Sequence, residues 1–220
     1  MGTDNLFHRR KARKAERHRR KMASRSPYDR VLIVCEGGKT EPNYVRWLIN
    51  HFGLNRANVV IADKKGGLDP KRLVEYALEE FNKDWDFDHV HCVFDRDKHT
   101  TYDGALEKIR SVRLKGGAKI HAITSIPCFE FWLLLHFTYT TRHYEAPLDE
   151  SNCELVVSDL RKFIPGYKKG SKDFVFFLLD KTEDAIINAK QIEKFHETSG
   201  TDIPSTKIYI LVEYLKSLKR

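Results

Sequence analysis

The 220-residue sequence has only four cysteines, and no two of them form a C-x-x-C pair. The usual spacing of a structural zinc site is therefore missing, and Cys35, Cys92, Cys128 and Cys153 read as buried free thiols. Long apolar runs are also missing: nothing approaches the ~20 residues that span a bilayer. The longest block, Phe129 to Phe137, is broken by Glu130 and His136. The N-terminus is polar and basic with no apolar segment behind it, so no secretory signal is expected. A soluble, cytoplasmic protein without membrane contact is the expectation.

A third absence concerns glycine. The stretch VLIVCEGGKTEPNY, from Val31 to Tyr44, looks like a strand running into a phosphate-binding loop. A Walker A loop that ends in Gly38-Lys39-Thr40 needs glycine at position 33. That residue is Ile33, inside the apolar run, and Pro42 starts a helix almost at once. An ATP-binding P-loop is excluded.

Negative charge is scarce in one region alone. Residues 1–26 hold ten Lys and Arg against two acids, whereas the remainder is balanced at 29 of each. All of the net charge of +8 thus belongs to residues 1–26, whose basic residues all lie in the stretch FHRRKARKAERHRRKMASRS. Such a block is expected to be disordered alone and to bind polyanions, with steep salt dependence. The candidate nucleic-acid contacts there are Arg9, Arg10, Lys11, Arg13, Lys14, Arg17, Arg19, Arg20 and Lys21.

What is present after the tail is an alternation of strand and helix signals. Strands are predicted at Val31–Cys35, Asn58–Ala62, His89–Phe94 and Lys119–Thr124. Helices are predicted from Pro42 to about Phe52, from Pro70, over Tyr102–Leu114, and over CFEFWLLLHF after Pro127. This pattern predicts an α/β domain with a mostly parallel sheet flanked by helices, over residues 28–138. Beyond Tyr139 the strand signals fade. Helices are expected at Ser151–Phe163, Thr182–Glu197 and in the closing segment IYILVEYLKSL. Residues 139–220 read as a helical extension packed on the core.

Carboxylates stand at the carboxyl ends of two predicted strands, where open parallel sheets bind ligands. Glu36 ends the first, and Asp95 and Asp97 in VFDRDKH end the third. The D-x-D spacing puts two carboxylates on one side of an extended segment, close enough to share a cation. Hard oxygen ligands of this kind suit Mg²⁺ or Mn²⁺. The glycines after Glu36 allow a phosphate to approach backbone. Lys39, Arg96, Lys98 and His99 surround the acids and favour a polyanionic substrate. Lys39 is the candidate phosphate contact and His99 a candidate proton donor. Glu130 lies in an otherwise apolar helical segment, so it is either a ligand turned to the sheet edge or a helix-end acid. Glu41 carries the same two readings. His136, Phe131 and Trp132 read as core.

Together these acids resemble the TOPRIM constellation, a glutamate after the first strand and D-x-D after the third. The pieces VCEGGKTEPNY, FDRDKH, PCFEFWLLLHF, YKKG and IPST before a terminal helix resemble more closely the RloB family of phage-defence proteins, from about Tyr28 to Leu218. Two positions depart from that pattern: Ile126 and Ile203 stand where asparagine is expected before proline.

The resemblance implies a TOPRIM-like fold and a metal-dependent nuclease in antiviral defence or abortive infection. RNA, with tRNA as one candidate, or DNA would be cut. Asp95 and Asp97 would be metal ligands, Glu36 a ligand or general base, and Glu130 and Glu41 would match further acids of the family pattern. An ATPase partner is also implied. The alternative is a subunit that binds nucleotide or nucleic acid without cutting it, with activity residing in that partner.

Overall fold

Five consecutive apolar residues, Val31–Cys35, form strand β1, and all five are buried. A strand apolar on both faces needs cover on both sides. The computed structural model, which describes residues 28–62, 67–84, 86–96, 99–147, 151–178 and 180–218, supplies it. Helix α1 (Thr40–His51) follows β1 and lays Tyr44, Val45 and Leu48 on one face of the sheet. Strand β2 (Val59–Ala62) leads to α2 (Pro70–Lys83), which lays Leu73, Val74, Ala77 and Phe81 on the other face. Strand β3 (His89–Asp95), α3 (Tyr102–Ser111) and β4 (Lys119–Ile126) continue the alternation. Asp69 caps α2 by accepting the Arg72 N–H at 3.2 Å, and Pro70 opens that helix, where its fixed φ fits and its missing N–H costs nothing.

The fold is α/β, as the alternation predicts. The sheet has five strands in the order β2-β1-β3-β4-β5, parallel except for β5 (Ser205–Thr206), which runs antiparallel to β4. Two neighbouring strands, β1 and β3, send their following helices to opposite faces. This is the topological switch point of an open sheet, where a crevice opens beyond the strand ends.

Several elements differ from the expectation. The helix begun at Tyr102 stops at Ser111, because Val112 is extended (ψ 143°). The turn at Lys115–Gly117 carries two left-handed glycines, Gly116 and Gly117. The helix expected after Pro127 is short: α4 covers Glu130–Leu134. Its neighbours are buried on all sides, so packing rather than periodicity sets its ends.

The segment read as a helical extension holds α5 (Asn152–Leu160), α6 (Thr182–Ser199) and α7 (Ile208–Ser217). It also supplies strand β5. Its apolar residues, among them Val156, Leu178, Ile186 and Leu211, share one continuous core with β1, α1 and α4.

The cysteine reading needs correction. Cys128 and Cys153 form a disulfide, with Cα atoms 5.7 Å apart, while Cys35 and Cys92 are free and buried. The 25-residue separation hides the pairing in the sequence. The start of α5 packs against the loop that enters α4 and brings the two residues together. No helix among the described residues is long and apolar enough to cross a membrane.

Candidate active site at the carboxyl edge of the sheet

The switch-point crevice is acidic. Glu36 leaves β1 directly: its N–H donates to the carbonyl of Val93 on β3 at 2.9 Å. Its side chain then turns across the crevice, where Oε2 accepts the backbone N–H of Asp95 at 2.9 Å. Its Oε1 lies 2.9 Å from Nε2 of His99. The end of β1 is thereby fastened to the end of β3 by a carboxylate with a set orientation.

The loop between β1 and α1 is shaped by a second carboxylate. Glu41 sits in the first turn of α1 and accepts the N–H of Gly37 at 3.2 Å. A Cβ on Gly37 would lie 2.3 Å from Glu41 Oε2, so only glycine allows this approach. Gly38 has open space around it.

Glu130 begins α4 and is 3% exposed. Sequence reading placed it a turn inside a helix. As the first helical residue it is favoured by the helix dipole, and it also faces the crevice. Tyr167 Oη donates to its Oε1 at 3.1 Å, and Lys169 Nζ lies 3.9 Å from Oε2. Sγ of Cys153, within the disulfide, is 3.2 Å from the same oxygen.

Glu36, Lys39, Glu41, Asp95, His99 and Glu130 line one cavity of about 710 Å³. Five of these were candidate site residues from the sequence, and Glu41 was left between capping and ligation. Of the remaining candidates, Asp97, Lys98 and the basic-tail residues Arg9 to Lys21 lie outside the described residues. Arg96 is turned away, pairing with Asp202 at 2.5 Å. His136 is buried with the core, its Nδ1 3.0 Å from the Trp132 carbonyl oxygen. Its Nε2 has no hydrogen-bond partner among the described residues. Phe131 and Trp132 are wholly buried, as core residues should be.

Sequence reasoning missed the far wall. Asp69, Lys169 and Gly170 also line the cavity. Asp69 accepts the Thr101 hydroxyl at 3.1 Å as well as capping α2. Gly170 has φ +80° and donates its N–H to Thr40 Oγ1 at 2.9 Å, which brings the Lys168–Gly170 turn beside Lys39. The only sequence trace of this wall is the piece YKKG, which carried a resemblance but no assigned role.

Electrostatically the crevice has too many carboxyls for its positive charge. Burial, and then the charges of Glu130 and Glu36, push the Glu41 carboxyl up to about 7. Burial, followed by Glu41, Glu130 and Glu36, holds Asp95 well above the usual carboxylate range. Burial also raises Glu130, against the opposing effects of Lys169 and Tyr167. Crowded acids forced toward protonation are the environment that a bound divalent cation relieves. The donors are all carboxylate oxygens, which suits Mg²⁺ or Mn²⁺. Among the described acids of the crevice only Glu130 belongs to a group of three or more ligand atoms within 4.8 Å, and its partners there are the sulfurs of Cys128 and Cys153; the acids themselves are spread more widely. They form a wider cradle, which fits a cation that keeps several of its waters.

Fold and crevice together define an α/β protein with an acidic crevice at the switch point of a mostly parallel sheet. A family profile described as RloB-like protein matches residues 31–215, and the chain belongs to that family. No curated protein and no solved structure matches it.

Proposed function

We propose that the protein is a TOPRIM-type, metal-dependent nuclease acting in antiviral defence. The observation that carries the reading is the meeting of Glu36 and Asp95 across the switch point, with Glu41 and Glu130 crowded behind them and their carboxyls raised. A pure binder of phosphate would not set buried carboxylates where the phosphate must come.

Asp95, Glu36 and Glu130 would hold a divalent cation, which when bound supplies an activated water and screens phosphate charge. The chain's own residues do the rest. Lys39 and Lys169 stand on the cavity wall and draw a polyanion toward acids that would otherwise repel it. Gly38, with open space around it, would give the substrate a close backbone approach. Where Asp95 and Glu130 alone hold the cation, Glu36, whose Oε2 accepts the Asp95 N–H, would instead take a proton as general base. His99, 2.9 Å from it, would pass a proton to the leaving oxygen. The N-terminal tail, with its excess of positive charge, adds non-specific affinity for nucleic acid.

The test is cleavage of matched RNA and DNA pools by the full chain and by Asp95→Asn, with Mg²⁺, Mn²⁺ or EDTA. Cutting that disappears both in the variant and in EDTA is the expected result, and the pool that is cut identifies the substrate class. Cutting that survives both overturns the acidic centre. Binding of nucleic acid without cutting, with or without an ATPase partner, would make the protein a binding subunit.

A further inference from the structure

The other end of the same strands carries a different set of ligands. His89 and His91 alternate along β3 and so point to one face, and His121 on β4 is the direct neighbour of His91 in the parallel register. That face is covered by α7, whose Tyr214 ring lies 4.8 Å from His89 and 5.1 Å from His91. The three imidazoles lie with centroids 4.7 to 6.1 Å apart. Their ligand atoms all fall within 4.8 Å of one another.

Two observations mark this cluster as more than packing. Nδ1 of His89 and Nε2 of His121 lie 2.9 Å apart and share one hydrogen bond, so two ring nitrogens are held side by side by a single proton that a cation could replace. His91 beside them is 2% exposed, yet neither of its ring nitrogens has a hydrogen-bond partner among the described residues. A buried imidazole with both nitrogens unused is poorly suited to a core, where an apolar ring would pack without that loss. As a ligand, it has what it lacks.

We propose that His89, His91 and His121 form a binding site for a late first-row transition-metal dication, Zn²⁺ foremost. Neutral imidazole is the preferred nitrogen donor for this class of ion. Three histidines leave a fourth tetrahedral position for water or another ligand. An outer carboxylate is already in place. Nε2 of His89 faces Asp29 at 3.8 Å, and Asp29 in turn accepts the Tyr214 hydroxyl at 3.0 Å. A carboxylate behind the far nitrogen of a ligating histidine fixes its tautomer and strengthens its donor atom. His89 and His121 are only half-buried, so the ion has a route in from solvent.

This site is distinct from the acidic crevice. His91 and Asp95 are four residues apart on β3, about 13 Å at the usual strand rise. Soft and borderline ions would go to one end of the strand and hard ions to the other. The site does not rest on the nuclease reading.

The test is titration of the chelator-stripped full chain with Co²⁺ and then Zn²⁺, followed by visible absorption and calorimetry. One equivalent of Co²⁺ in a tetrahedral nitrogen site, displaced by Zn²⁺, is expected for the wild type and for Asp95→Asn alike. His121→Ala and His89→Gln, at half-buried positions that tolerate change better than His91, should each weaken Zn²⁺ binding at least 100-fold. Asp29→Asn should weaken it roughly 10- to 100-fold. Equal Zn²⁺ binding by wild type and His121→Ala overturns the proposal. So does binding that is lost in Asp95→Asn, which would move the ion to the crevice.

Discussion

Gly37 and Glu41 cannot both keep their places if Gly37 gains a side chain: the added Cβ would meet the Glu41 carboxylate at 2.3 Å. The neighbouring Gly38 meets nothing within 4 Å. The pair therefore separates two roles that look alike in the sequence. Gly37→Ala should push Glu41, whose charge backs the three cation ligands without being one of them, out of the crevice and lower Mg²⁺ affinity at least tenfold by calorimetry, with the thermal midpoint changed by only a few degrees. Gly38→Ala should leave affinity within about twofold. Equal effects of the two would show that Glu41 plays no part in cation binding.

The raised carboxyls predict a pH dependence of stability. Glu41 has its folded pKa near 7, above its ordinary value of 4.5. The folded state therefore holds more protons than the unfolded one, and stability falls as pH rises through this window. For Glu41 alone the loss is on the order of 3 kcal/mol at most. His91 and His136 act oppositely: burial lowers them to about 3 and about 4, so they add stability as pH rises toward 6.5. Stability in EDTA should thus pass through a maximum near pH 6 and decline to pH 8. Urea unfolding of Glu41→Gln should show a shallower decline, and saturating Mg²⁺ should do the same to the wild type. A wild-type curve that rises from pH 6.5 to 8 in EDTA would contradict the crowding of the acids.

Tyr167 gives Glu130 its nearest hydrogen bond, inside a buried contact. Tyr167→Phe keeps the ring and removes that donor. A cost of about 1–3 kcal/mol is expected, since a buried acceptor loses its partner. The cost should shrink at pH 5, where Glu130 protonates more readily. Chemical denaturation at pH 5 and pH 8 checks both statements.

Thiol counting separates the cysteines. Denatured, non-reduced protein should react with two equivalents of a thiol reagent, and peptide mapping should place them at Cys35 and Cys92. After reduction the count should rise to four. Four thiols before reduction would exclude the Cys128–Cys153 bond.

Much of the crevice was legible because it obeys a local rule. VLIVC followed by Glu36, and HVHCVFD ending at Asp95, announce buried strands with an acid at the carboxyl end, and strand ends are where such sheets bind. The wall that closes the crevice obeys no local rule. Tyr167, Lys169 and Gly170 come from a turn without periodicity and reach the site only through tertiary contact. Asp69 reads as a helix cap, which it is, and capping masks its second position in the cavity. Strand β5 is two residues long, too short for any alternation to show. The histidines were visible as letters, but their meeting depends on the register of β3 against β4, which no single strand reveals.

The hydrogen bond from Gly170 to Thr40 joins residues 130 apart in the chain. During synthesis the first strand, its acid and the glycine turn leave the ribosome long before the turn that walls them in. At ordinary elongation rates of ~5–20 residues per second, that interval is on the order of ten seconds. For that time the nascent chain carries Glu36 and Glu41 without Lys169 opposite them, with Asp95 and Glu130 added along the way. The complete crevice exists only once the chain has been made as far as Gly170, so a chain terminated just before that turn would carry the acids but not the site.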